Sequence, residues 1–260
     1  MGEVLKTVLT EIRSHDAPVI LRGIDNAARL LSVGVRHEEK LLLMEAISSL
    51  YYVDLFDRPD LAPVVDRAVE VLSTIGDEAI PYLVEQLSYS DLKAAMNLAR
   101  TLGKMGPDAY RHLMEFYRGH DDPYARSMAL YALSKVEDSQ VLSYFDEVIE
   151  AFSAEHQEIR DTAARTIGKF FEHFPKSSFS GDQLEQAYQG LIALVSDFEA
   201  PVRSKAVRSL AKMAARGYFT QEQRDHLEIL CKRILGDLDF EWDRAYIVRM
   251  EAEELMKHLK

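Results

Sequence analysis

Cysteine is almost missing from this chain: Cys231 is the only one in 260 residues. No disulfide can close within the chain, which fits a reducing, cytoplasmic setting. The stretch Leu227 to Leu235 around it reads as a helix interior, where a thiol is buried and inert. Tryptophan is as scarce, with Trp242 alone. Eight prolines and twelve glycines fall mostly between helical stretches. With 47% hydrophobic residues, that composition excludes a disordered chain. No apolar run approaches the roughly 20 residues that cross a bilayer. The N-terminus carries Glu3, Lys6 and Glu11 and reads as an amphipathic helix, not a secretory signal.

Signatures of chemistry are missing too. There is no Gly-rich phosphate loop, no Gly-x-Ser-x-Gly and no His-Glu-x-x-His. The eight histidines include no pair four residues apart, the spacing that puts two metal ligands on one helix face. No catalytic residue, cofactor or metal ligand is assigned. The net charge of −12 argues against a general nucleic-acid role, since phosphate contacts need Lys and Arg.

What the chain has is a repeat. Leu72-Ser73-Thr74-Ile75, Leu102-Gly103-Lys104-Met105, Leu133-Ser134-Lys135-Val136, Ile167-Gly168-Lys169-Phe170 and Leu210-Ala211-Lys212-Met213 share one pattern: apolar, small, usually Lys, apolar. Their starts lie 30, 31, 34 and 43 residues apart. Four residues before each start stands Ala68, Leu98, Ala129, Ala163 or Ala206. Seven before the last three stands Arg126, Arg160 or Arg203. A period of this length with helical content is the mark of a solenoid. One short helix pair cannot bury both its apolar stripes, and stacking on neighbours does so.

The helices are expected over about 1–13, 17–33, 37–53, 62–75, 78–88, 91–104, 107–118, 123–135, 139–153, 156–173, 182–196, 200–215, 221–236 and 240–259. In the third, Leu41, Leu42, Met44, Ile47, Leu50 and Tyr51 are expected on the buried side. Asp16, Asp60, Ser90 or Asp91, Asp122 and Asp138 or Ser139 are candidate caps, and Thr220 with Gln223 forms a capping box. The stretch 174–182 has loop composition and reads as a surface insertion.

These residues resemble the HEAT-repeat family, most closely its phycobilisome-lyase-like subclass. Ile75-Gly76-Asp77-Glu78-Ala79-Ile80-Pro81 and Gly103-Lys104-Met105-Gly106-Pro107-Asp108-Ala109 are similar to the subclass's link between two helices. Asp197 with Val202-Arg203 is similar to the family's Asp and Val-Arg positions. The resemblance implies an all-α right-handed superhelix, a single repeat domain over 1–260. About six HEAT-like pairs fill 16–236, and the ends 1–15 and 240–260 form capping helices. It further implies that Arg203 is structural and pairs with an Asp of the neighbouring repeat. Arg126 with Asp122, and Arg160 with Asp161 or Glu158, are expected to form a similar ladder. Deoxyhypusine hydroxylases need several His-Glu pairs, and this chain has only His37-Glu38. Alkylpurine DNA glycosylases need several tryptophans and a basic groove. Phycobilin lyases share the repeat type, but nothing here marks a bilin site.

The function expected is that of a scaffold binding another protein through the concave face. Tyr82, Gln86, Arg111, Glu115 and Arg118 are the candidate contacts, while Leu83, Leu87, Leu113, Met114 and Tyr117 go to the core. The alternative is polyanion binding. Residues 203–233 carry eight basic and three acidic side chains, net +5. Lys205, Arg208, Lys212 and Arg216 fall on one helix face there. An acidic stretch, 137–161, could meet a basic partner or the 203–233 region of another copy.

Overall fold

The computed structural model describes residues 2–238 and 241–259; the expected terminal helix therefore has Phe240 and Lys260 outside the described residues, as are Met1 and Asp239. Every regular element among the described residues is helical. In order they are α1 (Glu3–Ile12), α2 (Ala17–Val33), α3 (His37–Ser48), α4 (Ala62–Ser73), α5 (Ile80–Glu85), α6 (Leu92–Lys104) and α7 (Pro107–Gly119). There follow α8 (Pro123–Leu133), α9 (Phe145–Glu150), α10 (Gln157–His173), α11 (Gly181–Leu194), α12 (Ala200–Ala215), α13 (Gln221–Leu235) and α14 (Tyr246–Leu259). The fold class is all-α, with successive helix pairs stacked on one another within each compact unit.

Helix starts follow side-chain chemistry. Asp16, Asp91 and Asp122 accept backbone N–H groups of Val19, Ala94 and Ala125 at 3.1, 2.8 and 2.9 Å. Thr220 and Gln223 form the reciprocal box the sequence predicts, and Ser180 with Gln183 forms another it did not. Asp60 caps nothing; it pairs with Arg58, and α4 starts after Leu61. Helices expected over 78–88 and 139–153 shrink to α5 and α9, flanked by 3₁₀ turns. The last helix starts at Tyr246; before it Asp243 accepts from the Ala245 N–H at 2.9 Å and pairs with Arg203. Between paired helices, Gly76 and Gly106 take φ of 96° and 91°, where a side chain would be strained.

The chain forms two compact units, Met1–Phe116 and Tyr117–Lys260. In the first, α2, α4 and α6 stack in one row while α3 and α5 pack alongside. In the second, α8, α10, α12 and α14 form the row, with α9, α11 and α13 alongside. Small residues set the spacing. Ala68, Ala129, Ala163 and Ala206 are fully buried. A Cβ on Gly168 would lie 2.2 Å from the Ser209 Oγ, so α10 and α12 touch there. Hydroxyls stitch this seam and the one before it: Ser209 Oγ donates to the Ala164 carbonyl at 2.8 Å between α12 and α10, and Thr166 Oγ1 to the Leu130 carbonyl at 3.0 Å between α10 and α8. Isolated helices of this length are marginal in water, so the stacking supplies most of their stability.

Two sequence expectations change here. Leu41 and Leu42 are exposed, because the buried stripe of α3 runs through Leu43, Met44 and Ile47 and turns these two outward. Residues 174–182 are not a loose insertion. Phe174 and Phe179 are buried, and the Phe179 ring lies 5.6 Å from Phe145 and 4.8 Å from Phe171.

The Arg ladder exists, but it runs forward to the next repeat. Arg160 bonds Asp197 at 2.7 and 3.1 Å, and Arg203 bonds Asp243 at 2.6 and 2.9 Å. Arg126 instead donates to the Tyr117 carbonyl and lies over that ring, since Asp122 is occupied as a cap. The same reach explains why neither Asp161 nor Glu158 serves Arg160: a guanidinium at the start of one helix faces the turn that opens the following one.

Candidate functional site

Each unit has two kinds of exposed surface. In the first unit, α2, α4 and α6 are cross-linked by ion pairs, Arg67 bonding Asp25 at 2.9 Å and Arg100 bonding Asp66 at 2.7 Å, and also expose Val33, Leu92 and Met96. The second helices differ. The exposed side of α3 carries Leu41, Leu42 and Glu45; the next carries Pro81, Glu85 and, after α5, a Tyr89 that is 73% exposed. Tyr82 is half-buried, with its hydroxyl 3.4 Å from the Ser48 Oγ, and burial pushes its phenol pKa up. Gln86 lies in the turn after α5, half-buried. On α7, Arg111 and Glu115 are exposed and bond each other at 3.1 Å. Leu83, Leu87, Leu113, Met114 and Tyr117 are buried, as their spacing predicts.

Arg118 belongs to the second unit, where it forks onto Glu147 at 2.9 and 2.7 Å. The four cations expected to form a stripe are interleaved with acids. Lys205 lies 3.8 Å from Asp161, and Lys212 lies 2.6 Å from Glu172. Arg208 grips the buried Glu251, and Arg216 donates to the Glu172 carbonyl. Spacing on one helix could not show these partners, because they come from α10 and α14. The acidic stretch 137–161 is likewise divided. Asp138 caps a turn, Glu147 holds Arg118, and Asp161 is half-buried on α10, while Asp146 and Glu150 are exposed on α9.

The second unit also holds a cleft the sequence reading missed. It measures about 400 Å³ and lies between α11 and α13. Glu185, Tyr188, Gln189, Thr220, Glu222, Gln223 and His226 line it. Tyr188 and His226 share a 2.6 Å hydrogen bond across it. The one available signal was the Thr220 capping box, whose Gln223 turns out to face α11.

Among the described residues, no three His, Cys, Asp or Glu side chains are grouped to hold a metal, and no helix is long and apolar enough to cross a membrane. The pattern of HEAT repeats matches residues 55–134 and 110–211, together more than half of the chain. The chain belongs to the HEAT-repeat family. Its repeats resemble those of the phycobilisome-lyase-like subclass. A search of curated proteins finds no significant match for this HEAT-repeat chain. Among solved structures, it is similar to Kap121p bound to Ste12p, with a TM-score of 0.59 and 12% identity over 99% of this chain and 29% of that one. It is also similar to the complex of CpcE and CpcF of phycocyanin lyase from Nostoc sp. PCC7120. There the TM-score is 0.54 and the identity 20%, over 69% of this chain and 98% of that one. Both likenesses are those of fold.

Proposed function

We propose that this HEAT-repeat chain is a scaffold that binds another protein through the exposed sides of its second helices. The observation that carries the reading is the contrast within the first unit. The row of α2, α4 and α6 pairs its charges, Arg67 with Asp25 and Arg100 with Asp66, and exposes Val33, Leu92 and Met96, whereas α3, α5 and the turn after it carry exposed Leu41, Leu42, Pro81 and Tyr89 beside a half-buried Tyr82. Exposed apolar and aromatic side chains grouped on one face mark interaction surfaces, and Tyr and Arg dominate binding energy there. Tyr82, Gln86, Arg111 and Glu115 are the contacts in that unit, and Arg118 contributes in the second. Packed helices hold these side chains in place beforehand, which lowers the ordering cost of association. The domain is the whole chain, with 16–236 as the repeats and 1–15 and 240–260 as its ends.

Photo-crosslinking amino acids placed at Tyr82 and Glu115 test the reading in the native cell extract. One protein crosslinked from both positions, and not from Asp66 or Arg100 on the other face, is the expected result. No product, or equal products from both faces, overturns it.

A further inference from the structure

The second unit distributes its charges unevenly. The cations at the first turns and middle of α10 and α12 are committed to partners: Arg160 to Asp197, Arg203 to Asp243, Lys205 to Asp161, Arg208 to Glu251, and Lys212 to Glu172. The second helices differ: α9 and α11 carry no Lys or Arg, while α13 carries Arg224, Lys232 and Arg233 beside its acids. Their exposed sides carry Asp146 and Glu150 on α9, Asp182 and Glu185 on α11, and Glu222 and Asp225 on α13. None of these six carboxylates has an ion-pair partner among the described residues. Asp146, Asp182 and Glu222 sit in first turns, where the helix dipole favours an acid. That account does not extend to Glu150, Glu185 or Asp225.

Glu185 is also held in position. The capping box fixes the Gln223 amide: its Oε1 accepts from the Thr220 N–H at 3.0 Å. Its Nε2 therefore points to α11 and donates to Glu185 at 3.0 Å. Gln189 donates to the other carboxylate oxygen at 2.7 Å. A carboxylate accepts about four hydrogen bonds, so about two positions stay open toward the cleft. The opposite wall, on α13, supplies Glu222 and His226, and His226 is bonded across the cleft to the Tyr188 hydroxyl of α11 at 2.6 Å. The cleft is too small and polar for an apolar helix, and its size and charge fit one extended cationic side chain.

We propose that this cleft seats an Arg or Lys side chain of a partner protein, from a basic extended segment lying across α9, α11 and α13. The inference rests on the scaffold reading and names the chemistry of one partner segment. A guanidinium would bond the held Glu185 and reach Glu222, while flanking cations would meet Asp146, Glu150, Asp182 and Asp225.

The test uses the full chain and a fluorescein-labelled peptide of about ten residues, Lys and Arg interspersed with Ser, read by anisotropy at about 50 and about 200 mM salt. The expected result is saturable binding that weakens with salt. Glu185→Gln with Glu222→Gln should weaken it about tenfold, as the loss of two charge-assisted contacts requires. Glu38→Gln with Glu253→Gln removes the same net charge from other exposed positions and should change affinity less than about twofold. Circular dichroism confirms that both variants are folded. Equal weakening in both pairs, or no binding at either salt, overturns the inference. Crosslinks from Tyr82 and Glu115 with no peptide in the cleft would leave the scaffold standing and remove the basic segment. Peptide binding at Glu185 without those crosslinks would do the opposite.

Discussion

Arg203 ties two successive repeats together through Asp243. Its Nε and Nη2 bond the carboxylate at 2.6 and 2.9 Å, while Nη1 donates to the Asp197 and Phe198 carbonyls, both at 2.9 Å. Each side chain is largely buried, at 17% and 13% exposed. Arg203→Lys keeps the charge but loses the planar fork that makes both sets of bonds. A loss of about 2–3 kcal/mol is expected, short of the roughly 3–5 kcal/mol for breaking a fully buried pair. It should register as a lower thermal midpoint and as faster amide exchange in α14.

Gly168 is the tightest point between α10 and α12. Gly168→Ala should cost about 1–3 kcal/mol, since the new methyl meets the Ser209 Oγ, Cβ and Cα at 2.2, 2.8 and 3.1 Å. Adding Ser209→Gly removes the two nearest atoms and should recover part of the loss. Thermal melts of the single and double variants check this.

Two carboxylates on α10 should respond to pH with opposite sign. Burial works to raise the Glu172 pKa, but the nearby ammonium groups of Lys212 and Lys169 outweigh it and hold it at about 2. Its stabilisation is complete above the unfolded value near 4.5 and is lost as pH falls toward 2. Glu172→Gln should cost about 1 kcal/mol at neutral pH, discounted for its 40% exposure. For Asp161, burial raises the pKa and the Lys205 charge at 3.8 Å only partly opposes it. Its ionised form therefore costs stability above the unfolded value near 3.8. Asp161→Asn should be neutral or stabilising at neutral pH and lose that advantage in acid. Denaturant midpoints across pH 2 to 7 separate the two.

Cys231 is fully buried on α13, and burial pushes its thiol pKa up, to about 12. The thiolate is the reactive form, so the native protein should not react with an aromatic disulfide reagent at neutral pH. Reaction should begin only with unfolding. Rapid modification of the folded chain would contradict this packing.

Arg208 tests the alternative of polyanion binding. Glu251, only 6% exposed, has Arg208 as its ion-pair partner. Arg208→Ala should destabilise by about 2–4 kcal/mol because it strands a buried charge. If the stripe serves an anion, retention on heparin should also fall, and more steeply at low salt. A stability loss with unchanged retention assigns Arg208 to packing.

Much of this architecture was legible in the chain. Ala163, Ala206 and the small residue after Ile167 mark a seam whatever the three-dimensional detail, because only small side chains let helix axes approach. Asp122 and Thr220 announce helix starts because capping is decided within four residues. Other features lay beyond that range. Leu41 and Leu42 looked like core in a helix apolar on more than one side, and only packing against α4 chose Leu43, Met44 and Ile47. The loop composition of 174–182 concealed an aromatic anchor, since Phe179 meets Phe145 and Phe171 from elsewhere in the chain.

The repeat period, the helical class and several caps, Asp16, Asp122 and Thr220 among them, were set by spacing within one helix or one turn. The tertiary structure decided where the charges act. Arg160 found Asp197 rather than Asp161, the cations of α12 met acids on α10 and α14, and Gln223 turned a local cap into a hold on Glu185. The physical reason is distance along the chain: these partners stand 37 to 44 residues apart, about one repeat. A charge pattern read along one helix cannot include the neighbour that neutralises it.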